Sequence, residues 1–338
     1  MRQLTCSAQS QLEWRDVPAP VLASDRAALV RPIAVARCDI DLFLAHGFIP
    51  AKEAFAVGHE CVAEIVALGD AVRGLEIGQR VVVSFQVSCG ACASCRAGHS
   101  GNCDEYPALS DYGMQPLSGV EYGGMLSDLV SVPFANAMLQ PVGQADPVAL
   151  ASVSDNVLDG YRAVAPHLAA APGSDVLVVS HGLPSVPLYA AQTAVALGAR
   201  VDFASDDDER LALAERLGAR AVRTDFKKPE RRYPIVVEGG LTSTGLEYAI
   251  RATAREGVCQ SVSFYRGGDF ALPLGRMYTL GIRFFIGRAH AASLLPEVVP
   301  LILSGKLRPE AVTTRVVTAD EAPAAWLEPA IKLVVRMG

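Results

Sequence analysis

Four cysteines lie close together in one short stretch of the 338-residue chain. Their spacing is C-x2-C-x2-C-x7-C, with glycines at the bends between them, and the four residues are Cys89, Cys92, Cys95 and Cys103. Such short loops let four sulfur atoms converge on one point, and zinc binds four thiolates in a tetrahedral cage. The spacing therefore predicts a closed structural zinc site, which leaves no open position for chemistry.

The same cysteines admit three other interpretations, namely paired disulfides, ordinary buried thiols and an iron–sulfur cluster. Ferredoxin clusters space their last cysteine differently. Disulfides are typical of oxidising compartments, whereas the first ten residues, MRQLTCSAQS, contain no apolar signal core. We therefore favour zinc, and we expect the protein in the cytoplasm.

Three further places carry side chains that could do chemistry. Cys38 follows an apolar run, His59 and Glu60 form a G-H-E sequence, and Asp155 lies in the polar stretch before residue 160. Taken singly, each has an ordinary structural explanation. A lone cysteine packs in a core, a lone histidine satisfies hydrogen bonds, and an aspartate in such a run caps a helix.

The bulk composition limits the classes of function. Hydrophobic residues make up 51% of the chain, enough for a substantial core, and the length corresponds to about two domains. No apolar run approaches the ~18 residues of a membrane span. The net charge of −6 and the lack of a basic block argue against nucleic acid as a partner.

The two ends of the chain have the pattern of short strands separated by glycine and proline. This pattern predicts a β-rich domain formed by residues 1–150 and 290–338, with the cysteine lobe at about 88–104. The individual strands are predicted at 27–35, 61–66, 80–85, 125–133, 315–317 and 331–335.

Between these ends, residues 151–289 alternate strands with helices. Alternation of this length predicts an α/β domain built on a doubly wound parallel sheet. The predicted strands are 175–180, 200–204, 220–223, 234–238, 258–264 and 283–287, and the predicted helices are 188–197, 209–217 and 243–254. One more helix is predicted at 292–303, at the start of the C-terminal segment.

The order of Cys38, the G-H-E sequence, the cysteine lobe and the α/β region resembles the zinc-dependent medium-chain dehydrogenase/reductase (alcohol dehydrogenase) superfamily. The resemblance spans nearly the whole chain. It implies a GroES-like catalytic domain, split in sequence, and a Rossmann nucleotide-binding domain. It also implies a zinc-dependent NAD(P) oxidoreductase that acts on a small alcohol, an aldehyde or a related carbonyl compound, and a homo-oligomer, either a dimer or a tetramer.

The resemblance implies a second, catalytic zinc with Cys38 and His59 among its ligands. The third ligand in many members is a cysteine shortly before the Rossmann domain. Asp155 occupies that position here, as in the formaldehyde dehydrogenase and dismutase branch. Glu60 matches the acid next to the ligand histidine in the sequence, which can lie just outside the metal's ligands or exchange onto the metal. Three protein ligands leave a fourth position for water or a substrate oxygen.

The nucleotide-binding turn departs from the superfamily. Glycines normally let the backbone approach the pyrophosphate, but the turn reads S-H-G-L-P-S-V-P and keeps only Gly182. Ser180 and Pro187 stand at the first and last glycine positions. We expect their side chains to push the pyrophosphate outward, and proline also removes an N–H donor.

Two alternatives to an ordinary dehydrogenase follow from this turn. The domain could have weakened or lost nucleotide binding, which would leave a non-redox or binding protein that carries zinc. Alternatively, a tightly held nucleotide could serve dismutation or another internally balanced redox step.

The end of the second Rossmann strand bears on the choice of nucleotide. Ser205 occupies the place of the usual acid and three aspartates follow it. Their carboxylates would repel a 2′-phosphate, which favours NAD, whereas Ser205 with Arg210 keeps NADP possible. The resemblance assigns the nucleotide contacts to Ser180, His181, Gly182, Leu183, Ser185, Val186, Ser205, Asp206, Arg210, Glu238 and Phe264.

The expected proton path is also altered. Superfamily members usually carry serine or threonine two residues after the ligand cysteine, and here Ile40 stands there. Phe43 occupies the place of a common relay histidine. An isoleucine cannot move a proton, so we expect this apolar pair to line a substrate pocket. Other groups near it that could carry the proton are Asp39, Asp41 and His46.

Overall fold

A computed structural model describes residues 1–7, 11–265 and 269–338. The chain forms two compact units, one of Met1–Leu158 with Ala289–Gly338 and one of Asp159–Arg288. The sequence predicts the first change of domain after residue 150, whereas residues 151–158 belong to the first unit. The reason is local packing, since the Ser154 hydroxyl accepts a hydrogen bond from the backbone N–H of Cys61 in that unit.

Sixteen strands are present among the described residues. In chain order they are β1 (Arg2–Cys6), β2 (Leu12–Asp16), β3 (Ala28–Arg37), β4 (Phe55–Ala56), β5 (Glu60–Leu68), β6 (Arg80–Val83), β7 (Val130–Val132), β8 (Leu139–Pro141), β9 (Val176–Ser180), β10 (Val201–Ser205), β11 (Arg220–Arg223), β12 (Tyr233–Gly239), β13 (Thr253–Ser261), β14 (Arg283–Phe285), β15 (Arg315–Thr318) and β16 (Leu333–Arg336).

The α-helices range from single turns to 13 residues. In chain order they are α1 (Asp39–Ala45), α2 (Ala93–Arg96), α3 (Gln115–Ser118), α4 (Ala135–Met138), α5 (Pro147–Leu150), α6 (Leu158–Ala170), α7 (Ser185–Ala196), α8 (Asp208–Arg216), α9 (Ser243–Ala252), α10 (Leu274–Leu280), α11 (Ala291–Leu303) and α12 (Ala322–Ala325). Two 3-10 helices, Ser100–Asn102 and Pro309–Val312, and one π-helix, Val153–Val157, complete the helices.

The first unit is β-rich, as predicted. Its main sheet has the strand order β15-β16-β3-β5-β6-β8, and β7 also pairs with β3. A smaller sheet has the order β2-β1-β4. The two ends of the chain meet in the main sheet, because β16 pairs antiparallel with β3 and sets Leu333 opposite Arg37.

Strand β3 is the centre of this unit because it pairs with β16, β5 and β7. It ends at Arg37, whose buried guanidinium donates hydrogen bonds to the backbone carbonyls of Trp326 and Glu328, each at 2.7 Å. Cys38 follows as the N-terminal cap of α1. The last residues of the strand therefore fix the position of Cys38 relative to the C-terminal segment.

The second unit has a six-stranded sheet of order β11-β10-β9-β12-β13-β14, in which every pairing is parallel. All five residues of β9 are buried, as expected for a strand covered on both faces. The strand order reverses beside β9, where β10 lies on one side and β12 on the other. The predicted doubly wound parallel sheet is confirmed.

Of the twelve α-helices of the described residues, the sequence predicts α7, α8, α9 and α11, and it misses the other eight, α1–α6, α10 and α12. Helix α6 contains Gly160 and Pro166, which disfavour helix. The glycine is needed for packing, since a Cβ atom at Gly160 would lie 2.7 Å from the backbone nitrogen of Ala190 in α7. The predicted β segment 125–133 is a strand only in its last part, as β7. None of the described helices has the length and apolar composition needed to cross a membrane.

A buried carboxylate joins three strands of the parallel sheet. Asp202 in β10 is 4% exposed. It accepts hydrogen bonds from Arg220 at 2.8 and 2.6 Å, from Arg231 at 2.9 Å and from the Tyr233 hydroxyl at 2.5 Å. Burial alone raises the pKa of Asp202, but these hydrogen bonds outweigh it and hold the pKa well below its usual range.

We predict that Asp202→Asn lowers the free energy of unfolding by about 2 kcal/mol at pH 7, because charged hydrogen bonds are lost. The folded pKa lies below the unfolded value of ~3.9. The carboxylate therefore stabilises the fold above that pH, and its contribution is lost as the pH falls. Urea unfolding at pH 7 and pH 3 should show the gap between wild type and variant closing at the lower pH.

The matched control is Asp225→Asn, since Asp225 pairs with Lys227 on the surface and both side chains are exposed. It should change the unfolding free energy by less than about 0.5 kcal/mol. An Asp202→Asn protein as stable as wild type at pH 7 would contradict the assignment.

Candidate metal centres and nucleotide site

The three side chains predicted to hold a catalytic metal come together in the first unit. Cys38 caps α1, His59 directly precedes β5, and Asp155 lies in the π-helix Val153–Val157. One ligand atom from each lies within 4.8 Å of the other two. Cys38 and His59 are buried and Asp155 is partly buried. Single π-helical turns are frequent at functional sites.

The His59 ring lies between two carboxylates. Its Nε2 atom is 3.2 Å from Oδ2 of Asp155, within hydrogen-bond reach. Its Nδ1 atom is 3.2 Å from Oδ1 of Asp41, an ion-pair distance without hydrogen-bond alignment. Asp41 also accepts a hydrogen bond from the backbone N–H of Cys38 at 2.9 Å. Asp41 therefore contacts two of the predicted ligands, the His59 ring and the backbone of Cys38.

Burial and the nearby charges act in the same direction on the pKa of Cys38 and in opposite directions on the pKa values of His59 and Asp155. Burial, with the nearby Asp155 carboxylate, raises the pKa of the Cys38 thiol well above its usual value. Burial lowers the pKa of His59, but Asp41 and Asp155 outweigh it and raise that pKa. Burial raises the pKa of Asp155, but His59 outweighs it and lowers that pKa. The carboxylates thus require a positive charge beside them, which an imidazolium or a bound cation supplies.

Glu60 is not among the three residues whose ligand atoms converge. Its fully buried carboxylate accepts hydrogen bonds from the Lys332 ammonium and, at 2.8 Å, from the backbone N–H of Asn156. Burial raises the pKa of Glu60, and Lys332 opposes the rise. Whether Glu60 stays outside the ligand set or exchanges onto the metal remains a prediction.

Two residues of this cluster were missed by the sequence analysis, Asn156 and Lys332. Both are buried, at 1% and 0% exposure. The lysine ammonium donates a hydrogen bond to Oδ1 of Asn156 at 2.6 Å, across 176 positions of sequence. The one available signal was a lysine inside the apolar run I-K-L-V-V. A charged residue inside a predicted buried strand requires a buried partner.

The other proton-relay candidates lie on or next to α1. Asp39 is its first residue, and the Nε2 atom of His46 is 3.1 Å from the Leu327 carbonyl. Phe43 packs near Phe48, with ring centroids 5.8 Å apart. Ile40 and Phe43 remain a predicted lining of the substrate pocket.

The cysteine lobe brings its four sulfur atoms within 4.8 Å of one another. All cysteines of the described chain are free thiols, so the disulfide alternative is excluded there. Backbone N–H groups point at the sulfurs, for example from Cys92 to Cys89 at 3.3 Å and from Cys95 to Cys92 at 3.4 Å. Backbone N–H donors, first that of Cys95, lower the pKa of Cys92 to about 7. Burial raises the pKa of Cys95 and Cys103. The convergence of the four sulfur atoms, and not their pKa values, is therefore what supports a zinc site here.

The predicted nucleotide residues gather at one edge of the parallel sheet. They lie at or after the carboxyl ends of β9, β10, β12 and β13, and these four strands are adjacent in the order β10-β9-β12-β13. Such an edge, at the point where the strand order reverses, is where open α/β sheets bind ligands.

The turn after β9 is packed inward. The backbone N–H groups of Gly182 and Leu183 both donate to the Gly239 carbonyl, at 3.3 and 3.1 Å. Ser180 is buried and its hydroxyl donates to the Leu183 carbonyl at 2.8 Å. Pro187 is buried against Gly239. The expectation that the Ser180 and Pro187 side chains push the pyrophosphate outward is therefore wrong, because both side chains point into the fold.

The structure does place prolines without a backbone N–H donor at this turn, as the sequence predicts. Helix α7 begins at Ser185, and prolines occupy its N-cap and third position, Pro184 and Pro187. Neither proline has a backbone N–H. Ser185 and Val186 are therefore the first two helical residues that carry a backbone N–H for an anion at this helix end.

The ribose end of the predicted site is defined by Asp206. Ser205 is fully buried, donates to the Ser180 carbonyl at 2.9 Å and accepts from the Asp207 N–H at 3.2 Å. Asp206 has a half-exposed carboxylate that lies 3.4 Å from Nδ1 of His181. Arg210 is drawn back to the Ser180 hydroxyl at 3.4 Å. Asp206 is thus the acid that directly follows β10, the strand end where the resemblance places the ribose.

Glu238 has a structural role. Its buried carboxylate accepts hydrogen bonds from the hydroxyls of Ser261 and Tyr265, each at 2.6 Å. It also accepts from Ser263 at 3.2 Å. These bonds hold the segment after β13, which includes Phe264, at the nucleotide edge of the sheet.

Comparison with known proteins gives the class and then the family. Residues 24–142 match the alcohol dehydrogenase GroES-like domain, which defines the class of the first unit. A medium-chain reductase/dehydrogenase of Acremonium sp. is 30% identical over 270 residues, covering 78% of this chain and 87% of that protein. A probable zinc-binding alcohol dehydrogenase of Mycobacterium tuberculosis is 28% identical over 331 residues, covering 95% and 83%. The chain belongs to the zinc-dependent medium-chain dehydrogenase/reductase (alcohol dehydrogenase) superfamily.

A solved structure supports the same family. The alcohol dehydrogenase TADH from Thermus sp. ATN1 has a TM-score of 0.91 with this chain at 26% identity, covering 99% of each chain. The fold class predicted from the sequence, a GroES-like β-rich domain with a Rossmann domain, is confirmed.

We predict that Cys95→Ser removes one zinc per chain and lowers the melting temperature, because three thiolates hold the lobe less well than four. The control is Cys259→Ser, which changes a buried thiol outside both predicted metal groups. Elemental analysis and thermal unfolding give the readout. A Cys95→Ser protein with the zinc content and melting temperature of wild type would refute the structural site.

We also predict that Asp206→Ala lowers the ratio of the NADPH to the NADH dissociation constant about tenfold, or ~1.4 kcal/mol. The reason is that the variant lacks the carboxylate expected beside the 2′ position of the ribose. Asp208→Ala is the control, since Asp208 is 88% exposed and pairs with Arg223. Fluorescence titration with both nucleotides measures the ratio. An unchanged ratio in the Asp206 variant would show that another group reads the ribose.

Proposed function

We propose that this protein is a zinc-dependent dehydrogenase that oxidises a small alcohol, or reduces the corresponding carbonyl compound, with a nicotinamide dinucleotide. One observation carries the proposal. A thiol, an imidazole and a carboxylate, from Cys38, His59 and Asp155, converge within 4.8 Å in the first unit. Structural sites are closed by four ligands, whereas a set of three leaves a position for substrate.

The donor set fits zinc in its chemistry. Sulfur, nitrogen and oxygen are all zinc ligands, and the two anionic members balance a divalent cation. Zinc bound there would act as a Lewis acid on the substrate oxygen. The pairing of Glu60 with Lys332 adds no net charge behind this set. The carboxylate of Asp41 faces His59 Nδ1, so that Nε2 is the ring nitrogen directed at the other two ligands.

The second unit supports a dinucleotide, with NAD favoured over NADP. Asp206 at the end of β10 suits ribose hydroxyls and repels a 2′-phosphate. The N–H groups of Ser185 and Val186 begin α7, where the helix favours an anion. Oxidation would transfer a hydride from the alcohol carbon to the nicotinamide ring and release the hydroxyl proton to solvent.

The inward packing of the turn favours weaker binding than a glycine-rich turn gives. Each missing hydrogen bond to phosphate costs about 1.5–3 kcal/mol. A purely non-redox binding protein gains no support, because the relatives compared above are named dehydrogenases or reductases. Dismutation stays an alternative outcome, and it is recognised by paired alcohol and acid products without net NADH.

The decisive test replaces Asp155. We predict that Asp155→Ala abolishes NAD-dependent turnover of alcohols and removes one zinc per chain, while the cysteine lobe keeps its zinc. Asp155→Cys should retain that zinc, because it restores the thiolate found in many superfamily members. Asp128→Ala, at an exposed surface pair, is the control. Turnover at wild-type rate in Asp155→Ala, with full zinc content, would overturn the assignment.

A further inference from the structure

The Asn156 side chain is engaged at both ends of its amide. Its Nδ2 atom donates to the Cys38 sulfur at 3.0 Å and to Oδ2 of Asp155 at 3.1 Å. Its Oδ1 atom accepts from the Lys332 ammonium at 2.6 Å. One amide thus contacts both anionic members of the predicted ligand set and a buried cation.

The orientation of this amide follows from chemistry. A lysine ammonium has three donors and no acceptor, so the amide oxygen must face Lys332. The NH2 group is then the end that faces Cys38 and Asp155. Of the side chains, only an amide of this size both donates to two anions and accepts from a cation.

The backbone of the same residue reinforces the arrangement. Its N–H donates to Oε1 of Glu60 at 2.8 Å, and the other oxygen of Glu60 contacts Lys332. The residue is 1% exposed, so water does not compete for these bonds. Hydrogen bonds in such surroundings are stronger than in water, and losing one leaves a buried group unsatisfied.

We infer that Asn156 is a positioning residue that fixes Cys38 and Asp155 relative to each other and weakens their electron donation to a bound metal. An N–H donor shared by a thiolate and a carboxylate draws electron density from both. The metal at this site would consequently be a stronger Lewis acid. This inference rests on the proposed function, because it requires a metal at the Cys38–His59–Asp155 site.

The test replaces the amide with a side chain of the same shape and no donor, Asn156→Leu. The protein is stripped of metal and reloaded with cobalt(II), whose visible absorption reports thiolate ligation. Losing the amide removes the positioning of both ligands, and we expect this loss to outweigh their stronger electron donation, giving about a 10- to 100-fold weaker cobalt affinity at this site. The stronger donation should shift the thiolate-to-cobalt absorption band. The cobalt bound by Cys89, Cys92, Cys95 and Cys103 should keep its band and serves as the internal control.

The possible results separate the two claims. Wild type that binds only one cobalt per chain would refute the proposed function, and this inference with it. Wild type with two cobalt ions, and an Asn156→Leu protein of equal affinity and spectrum, would refute the inference alone. If Asn156→Leu does not fold, as judged by the lobe's cobalt band, the smaller Asn156→Ala takes its place, and an unchanged affinity and spectrum there would equally refute it.

Discussion

The central constraint on the first unit is that it buries a cluster of charged groups around Cys38, His59 and Asp155. A buried charge is costly unless it is paired and hydrogen-bonded. The fold meets this requirement with three more polar groups. Asp41 faces the imidazole, Asn156 donates to the sulfur and a carboxylate, and Lys332 neutralises Glu60. The same residues that make the cluster tolerable also fix the directions of the ligand atoms.

The pairing of the C-terminal strand with β3 brings partners of this cluster together. Strand β16 pairs antiparallel with β3, and the register sets Leu333 opposite Arg37. Lys332 and Cys38, which each adjoin one member of that pair, thereby come to the same part of the sheet. The π-helix then adds Asp155 and Asn156 from a third part of the sequence. Three distant segments of the sequence thus each supply a charge or a hydrogen-bond donor to the same buried cluster.

Much of this was predictable from the sequence where the determinants are local. The cysteine spacing and the alternation of strands and helices depend on neighbouring residues, and the structure confirms the fold. Asp155 was assigned only through the resemblance to the superfamily, because it stands where many members carry a ligand cysteine. Asn156 and Lys332 were missed because their shared partner, Glu60, lies 96 and 272 positions away from them in the sequence. The direction of the Ser180 and Pro187 side chains was predicted wrongly, because tertiary packing at a strand end decides it.

The most direct test of this account is a crystal structure with anomalous scattering measured at the zinc edge. The account predicts two zinc peaks per chain. One should lie among the sulfurs of the cysteine lobe, and the other should be bonded to Cys38, His59 and Asp155, with Glu60 outside bonding distance. A second peak that is absent from a zinc-saturated crystal, or a zinc bonded to Glu60 in place of Asp155, would contradict it.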